Sequence, residues 1–229
     1  MIDSSMLISQ EAAPIRKKTL VKLREAIIEG RFLPGERLYE QELCKLLGVS
    51  RSPIREALRQ LESEKLITNI PNKGPVVTEV TIEEARELDD VRETLMCHVV
   101  ELFIQVADDS FIISLKKALK NMEEVFKEKF SPAYLQAGDK YIDILLQGCG
   151  NKVIRSILKS LHARLSFLRR LSLSYPGRPQ QVIRDFRKIA EAIELRDTEA
   201  AVKAMSENLR SAAALVLERL QKEAAGETK

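Results

Sequence analysis

Three arginines set four apart, Arg51, Arg55 and Arg59, carry the clearest chemistry in this 229-residue chain. On a helix that spacing lays their guanidinium groups in one row. Each planar fork can clamp a phosphate, or the O6/N7 edge of guanine, through two hydrogen bonds. Ile54, Leu58 and Leu61 give the same helix an apolar face on another side. Just upstream, Leu43, Leu46 and Leu47 recur at helical spacing and run into Gly48-Val49, a helix stop and a small apolar plug. Ser52 precedes Pro53, which suits the first turn of a helix because a donor missing there costs nothing. Residues 40–59, EQELCKLLGVSRSPIREALR, thus predict two short helices packed through apolar faces with the arginines outside, as in a helix-turn-helix reading the DNA major groove. An ordinary helical hairpin with a solvated basic face has the same pattern, and the flanking sequence must separate the two.

The elements that would hold this pair in place are legible on both sides. Leu20, Leu23, Ile27 and Ile28 form an amphipathic stripe ending at Gly30, followed by the turn Leu33-Pro34-Gly35-Glu36. Downstream, 66–68 and 76–78 are β-prone runs joined by the turn-rich 69–75, which predicts a hairpin. The segment 14–80 resembles the winged-helix domain of GntR-family transcription regulators. The residues that carry the resemblance are Gly30, Pro34-Gly35, Arg37-Leu38, Glu42-Leu43, Gly48-Val49-Ser50-Arg51, Pro53-Ile54-Arg55-Glu56-Ala57-Leu58, Leu61 and the wing glycine Gly74. The resemblance implies a partner, double-stranded operator DNA. Arg51, Ser52, Arg55 and Arg59 would face it from the second helix and Gln41 from the start of the first. Lys73 and Gly74 would reach the minor groove or backbone from the wing.

Composition sets limits. The length suffices for two domains, each with a core. Residues 14–80 hold 13 Lys/Arg against 9 Asp/Glu, net +4, while the whole chain is +3; a modest local excess suits phosphate contact without proving it. Three widely spaced cysteines, Cys44, Cys97 and Cys149, argue against a disulfide framework or a zinc cluster and for a reducing compartment. No apolar run has membrane-spanning length and residues 1–13 read as a tail without a targeting signal, so the expectation is a cytoplasmic protein. Phosphate-binding loops, dinucleotide fingerprints, nucleophile elbows and zinc-protease motifs are absent, so no catalytic residue is assigned.

From 81 onward the pattern becomes helical throughout. Thr81-Ile82-Glu83-Glu84 fits a capping box. It opens a helix carrying Ile82, Ala85, Leu88, Val91 and Leu95 as far as Leu102, and further helices are expected at 110–129, 132–147, 151–174, 179–195 and 198–223. The predicted class is therefore mainly α, with a winged helix and its small β-hairpin at 14–80 and an all-helical bundle at 81–229. The second part resembles the FCD effector domain of the FadR subfamily, through 87–95 (ELDDVRETL), Cys149-Gly150-Asn151, Leu161-His162-Ala163-Arg164, Leu171-Ser172-Leu173-Ser174 with Pro176-Gly177-Arg178, and the Asp197 turn. That resemblance implies a small effector, often a carboxylate, and a homodimer.

Many FCD domains hold a divalent metal with one aspartate and three histidines. Aligned residue by residue, the aspartate falls on Asp139, but the histidines fall on Asp143, Phe186 and Asn208. A phenyl ring supplies no ligand, so the resemblance implies a lost metal site, no cofactor, and at most weak oxygen coordination by what remains. Arg92 aligns with the arginine that projects toward the effector, and Asp139 or Asp143 would hold it when no ligand is present. The candidate pocket is Arg92, Asp139, Asp143, Phe186 and Asn208, the phenyl ring making that side apolar and favouring an effector with a hydrophobic portion. An ordinary intrahelical pair with Asp89 is the simpler reading of Arg92. His98 reads as a packed helical histidine, and Arg169-Arg170 and Arg184/Arg187 as solvated faces. The reading is a DNA-binding regulator, a repressor, tuned by an anionic effector. The alternatives are a metabolite-binding or enzymatic bundle with no DNA role, and a regulator whose second domain only dimerises.

Overall fold

The computed structural model describes residues 12–126 and 131–225, and the chain divides into two compact units, Met1–Glu79 and Val80–Lys229. The first contains α1 (Ala12–Ile28), α2 (Glu40–Leu47), α3 (Arg51–Ser63) and the antiparallel hairpin β1 (Ile67–Ile70) and β2 (Gly74–Val77). Leu23 and Ile27, one turn apart on α1, are buried with Ile54, Leu58 and Leu61 of α3, and the two helices pack together. On α2 the expected apolar face is narrower than the leucine pattern suggests. Leu43 is buried and Leu47 half-buried, but Leu46 is 67% exposed. An eight-residue helix lying on α3 buries one stripe, and position 46 is a quarter-turn off it.

The hairpin is longer than the β-prone runs. It pairs Ile67 with Val77 through Ile70 with Gly74, so the turn shrinks to 71–73. Asn72 and Gly74, both left-handed at φ 63° and 83°, make so tight a reversal possible. A further strip lies along β2: Leu38 N–H donates to the Pro75 carbonyl at 2.8 Å and Val77 N–H to that of Glu36 at 2.9 Å. The segment after Pro34 is thus an edge of the wing as well as a turn.

The second unit contains α4 (Ile82–Val106), α5 (Asp109–Val125), α6 (Pro132–Gly148), α7 (Lys152–Leu173), α8 (Arg178–Glu194) and α9 (Thr198–Ala224). Each starts where a capping signal or proline stands. The side chains of Thr81, Asp108, Ser131, Asn151 and Asp197 accept backbone N–H bonds at five of the six N-termini. The capping box is only half formed, because Glu84 turns its carboxylate to Arg164 at 2.9 Å. The expected end of the 110–129 helix lies outside the described residues. Fold class is as the sequence indicates: mainly α, with one two-stranded sheet among the described residues.

α4 packs along α9, α5 on α6, and α8 on α9. Phe103, Tyr141, Leu145, Ile189 and Met205 fill the main core, and a smaller cluster of Ala85, Leu88, Phe167, Leu168 and Val216 ties α7 to α4 and α9. Gly148 lets the end of α6 come this close to α4: a Cβ there would sit 2.3 Å from the Phe103 ring. Val91, expected on the apolar stripe of α4, is exposed.

Candidate nucleic-acid interface and effector cavity

In the first unit α3 presents Arg51, Ser52, Arg55 and Arg59 to solvent, with Gln41 exposed on α2 and Lys73 exposed on the wing. Arg55 does not hang loose. Its Nε donates to both carboxylate oxygens of Glu40, at 2.9 and 3.0 Å, so the Nη edge remains for a base or phosphate. Together with Arg59, Glu62 and Asn69 this pair borders a polar groove of about 280 Å³. Gly74 is needed for its φ and not for space, since a Cβ there would meet only Arg37 Nη2 at 3.9 Å. Arg37 itself lies over the Tyr39 ring at 4.6 Å. It adds a cation beside the wing that no spacing pattern singled out.

In the second unit a cavity of about 80 Å³ lies between α4, α6, α7, α8 and α9. α4 contributes Arg92 and Met96; α6 contributes Asp139, Ile142 and Leu146. From α7 come Leu158, His162, Leu165, Ser166 and Arg169, and from the last two helices Phe186, Asn208 and Leu209. Four of the five expected pocket residues thus share one space. Asp143 does not line it. The inward row of α6 runs 139, 142, 146, which turns Asp143 aside to accept a bond from Gln147 at 2.9 Å.

The charge pairing differs from expectation. Arg92 is held neither by Asp139 nor by Asp143: its ion-pair partner among the described residues is Asp89, at 3.6 Å. The pair is buried, not solvated, with side chains 14% and 11% exposed. Burial pushes the Arg92 guanidinium down to about 10, with Asp89 opposing the shift and Arg169 adding to it. Burial likewise raises the Asp89 carboxyl, against the pull of Arg92. Asp139 belongs to Arg169, whose Nη2 donates to it at 2.5 Å. Arg169 is therefore a cavity residue, not part of a solvated face; Arg184 and Arg187 do lie on exposed ground, bonded to Gln181 and Glu123. His162 is a further lining residue that sequence could not place. His98 is not packed: it is exposed and meets Glu101 at 2.8 Å.

The four positions aligned with the metal ligands are engaged elsewhere or carry no donor, Asp143 being bonded to Gln147. Asp139 is taken by Arg169, and the Asn208 side-chain oxygen accepts from Arg178 Nη2 at 2.8 Å. Phe186 offers only a ring, stacked on Tyr141 at 4.3 Å. No group of three or more His, Cys, Asp or Glu side chains is arranged to hold an ion among the described residues. What the cavity offers is a mostly apolar lining with two guanidinium groups, those of Arg92 and Arg169.

Residues 16–77 match the family model of gntR bacterial regulatory proteins, and residues 87–211 match that of the FCD domain. The chain belongs to the GntR family. It is 31% identical to the HTH-type transcriptional regulator YdhC of Bacillus subtilis, over 79% of this chain and 81% of that one. Against the HTH-type transcriptional repressor RspR of Escherichia coli the identity is 24%, over 86% of each. A GntR transcriptional regulator from Rhodococcus sp. RHA1 superposes with a TM-score of 0.75 at 26% identity, over 89% of this chain and 97% of the other. This GntR protein is accordingly a DNA-binding transcriptional regulator with an effector-binding FCD domain, and not an enzyme.

Proposed function

We propose that this regulator is a homodimeric repressor released from, or fitted to, its operator by a small anionic effector held by Arg92, without a metal. The observation that supports it most is the buried Arg92 guanidinium at the cavity wall, paired only loosely with Asp89. Its donors open on the cavity, with Asp89 as the ion-pair partner among the described residues, so a ligand anion would complete the set. The repressor sense is taken from relatives such as RspR. Arg92 stands on α4, the helix that follows the winged helix in sequence, so an effector clamped there acts on the element next to the DNA-binding unit in the chain. No helix among the described residues is long and apolar enough to cross a membrane, and we place the protein in the cytoplasm with its DNA.

DNA contact is assigned to Arg51, Ser52, Arg55 and Arg59 with Gln41, and backbone or minor-groove contact to Lys73 and Gly74. One recognition helix spans too few base pairs for selectivity, so two copies are required on a two-fold operator. The test is selection of binding sites from random duplex DNA. A palindromic consensus is expected with the native chain, together with a light-scattering mass near twice 25.9 kDa. The same selectivity in an Arg51→Ala/Arg55→Ala variant, or a strictly monomeric complex, would overturn the assignment.

A further inference from the structure

We propose that the Asp139–Arg169 ion pair is a displaceable latch, opened when a small monocarboxylic acid with an apolar body takes Arg169 from Asp139. The inference rests on the reading of the cavity as an anion site and adds the ligand class and the step that admits it. Three guanidinium groups cluster here, since Arg169 and Arg178 both depress the Arg92 pKa. Three aspartates balance them: Asp89 on Arg92, Asp139 on Arg169 and Asp185 on Arg178. With the charges already paired, an entering anion leaves an excess negative charge in a poorly hydrated space unless one carboxylate withdraws.

Exposure decides which one. The Asp89 and Asp185 side chains are each 11% exposed, whereas that of Asp139 is 37% exposed. Asp139 can turn to water at little cost; Arg169, 18% exposed, stays behind with a buried Nε that has no acceptor. A ligand carboxylate bridging Arg92 and Arg169 would supply that acceptor and shorten the long Arg92 contact. Only one carboxylate is free to leave, so only one ligand charge is compensated, which favours a monoanion over a dicarboxylate or phosphate.

The body of the ligand follows from the walls. Met96, Ile142, Leu146, Leu165 and Phe186 are apolar and surround a space of about 80 Å³. A second, apolar void of about 20 Å³ shares Arg169 and Phe186 with the cavity. Movement of Arg169 off Asp139 therefore also alters the partition between the two spaces.

Calorimetric titration of the full chain with hexanoate and benzoate, and with succinate and inorganic phosphate for contrast, tests the latch. Removing the competing carboxylate in Asp139→Asn should tighten hexanoate or benzoate binding about tenfold, and Arg169→Gln should weaken it by at least about as much. Asp139→Ala serves if the amide variant does not fold, and unliganded thermal midpoints check that each variant is native. Unchanged or weaker binding in the Asp139 variants would overturn the latch; if Arg92→Ala still abolished native-chain binding, the anion site itself would stand. Binding of none of the four probes by either the native chain or the Asp139 variants would overturn both. Tighter binding of succinate or phosphate than of hexanoate would overturn the ligand class.

Discussion

Arg178 and Arg92 lie in the same helical unit, and each is buried beside an aspartate, yet they are used in opposite ways. Arg178 is nearly saturated, only its buried Nε lacking a partner among the described residues. Its Nη2 donates to the Asn208 carbonyl and side-chain oxygen at 2.7 and 2.8 Å, and its Nη1 to Ser211 and Asp185 at 3.3 and 3.4 Å. Gln181 in turn secures Asp185 at 2.7 Å. Arg92 meets Asp89 at 3.6 Å and otherwise faces open volume. A buried cation with most donors spent holds helices together; one with most donors open to a cavity is free, under the proposed function, to take a ligand. Arg178, joining the start of α8 to the middle of α9, is the first kind, and Arg92 the second.

Arg178→Ala strands Asp185 and the Asn208 oxygens and should cost about 3–5 kcal/mol in denaturant unfolding. A third arginine extends the comparison to the surface, where Arg55 is steadied by Glu40 yet 56% exposed. Arg55→Ala should leave stability nearly untouched and lower affinity for a selected operator by about 1–3 kcal/mol. Lys73→Ala should instead weaken binding to all sequences alike and flatten its salt dependence, as competition assays at several salt concentrations would show. Arg92→Ala should destabilise by only about 1–2 kcal/mol, because the loose contact with Asp89 leaves little to lose. A loss equal to that of Arg178→Ala would erase the distinction.

The smallest effects are in pH. Burial raises the folded Asp89 pKa above its ordinary 3.8. Its favourable contribution is therefore complete below that value and lost as pH rises through the folded value. Glu64 is the reverse case. Burial pushes it up, but bonds from Arg24 and Gln60 outweigh this and hold it below its ordinary 4.5. Its contribution is present above 4.5 and lost as pH falls through the folded value. Urea midpoints across the acid range should show opposite changes of slope in Asp89→Asn and Glu64→Gln.

The parts legible in the sequence are those that depend on near neighbours. Helix starts at Thr81, Ser131 and Asp197, the break at Gly48 and the arginine row of α3 are fixed by residues within a turn or two of one another. The cavity's polar pairs are not local. Asp139 meets Arg169, and Asn208 meets Arg178, across 30 residues and between different helices. Which partner is reached depends on helix phase, and a fraction of a turn moved Asp143 off the wall that Asp139 occupies. Burial context was equally hidden, so that Arg169 looked solvated and His98 packed when the reverse holds. Glu84 shows the same limit: a local signal placed it in a capping box, and a distant arginine took its carboxylate.

In the proposed function, Arg92 reads an anion and passes the result to DNA binding. The most direct measurement is release of the native chain and of Arg92→Ala from one selected operator duplex while hexanoate or benzoate is titrated, followed by fluorescence anisotropy with chelator present throughout. Operator affinity should be equal without acid, and the native chain should show a carboxylate-dependent change that Arg92→Ala lacks. An acid response that persists in Arg92→Ala, or one that appears only after a divalent metal is restored, would contradict the proposed function.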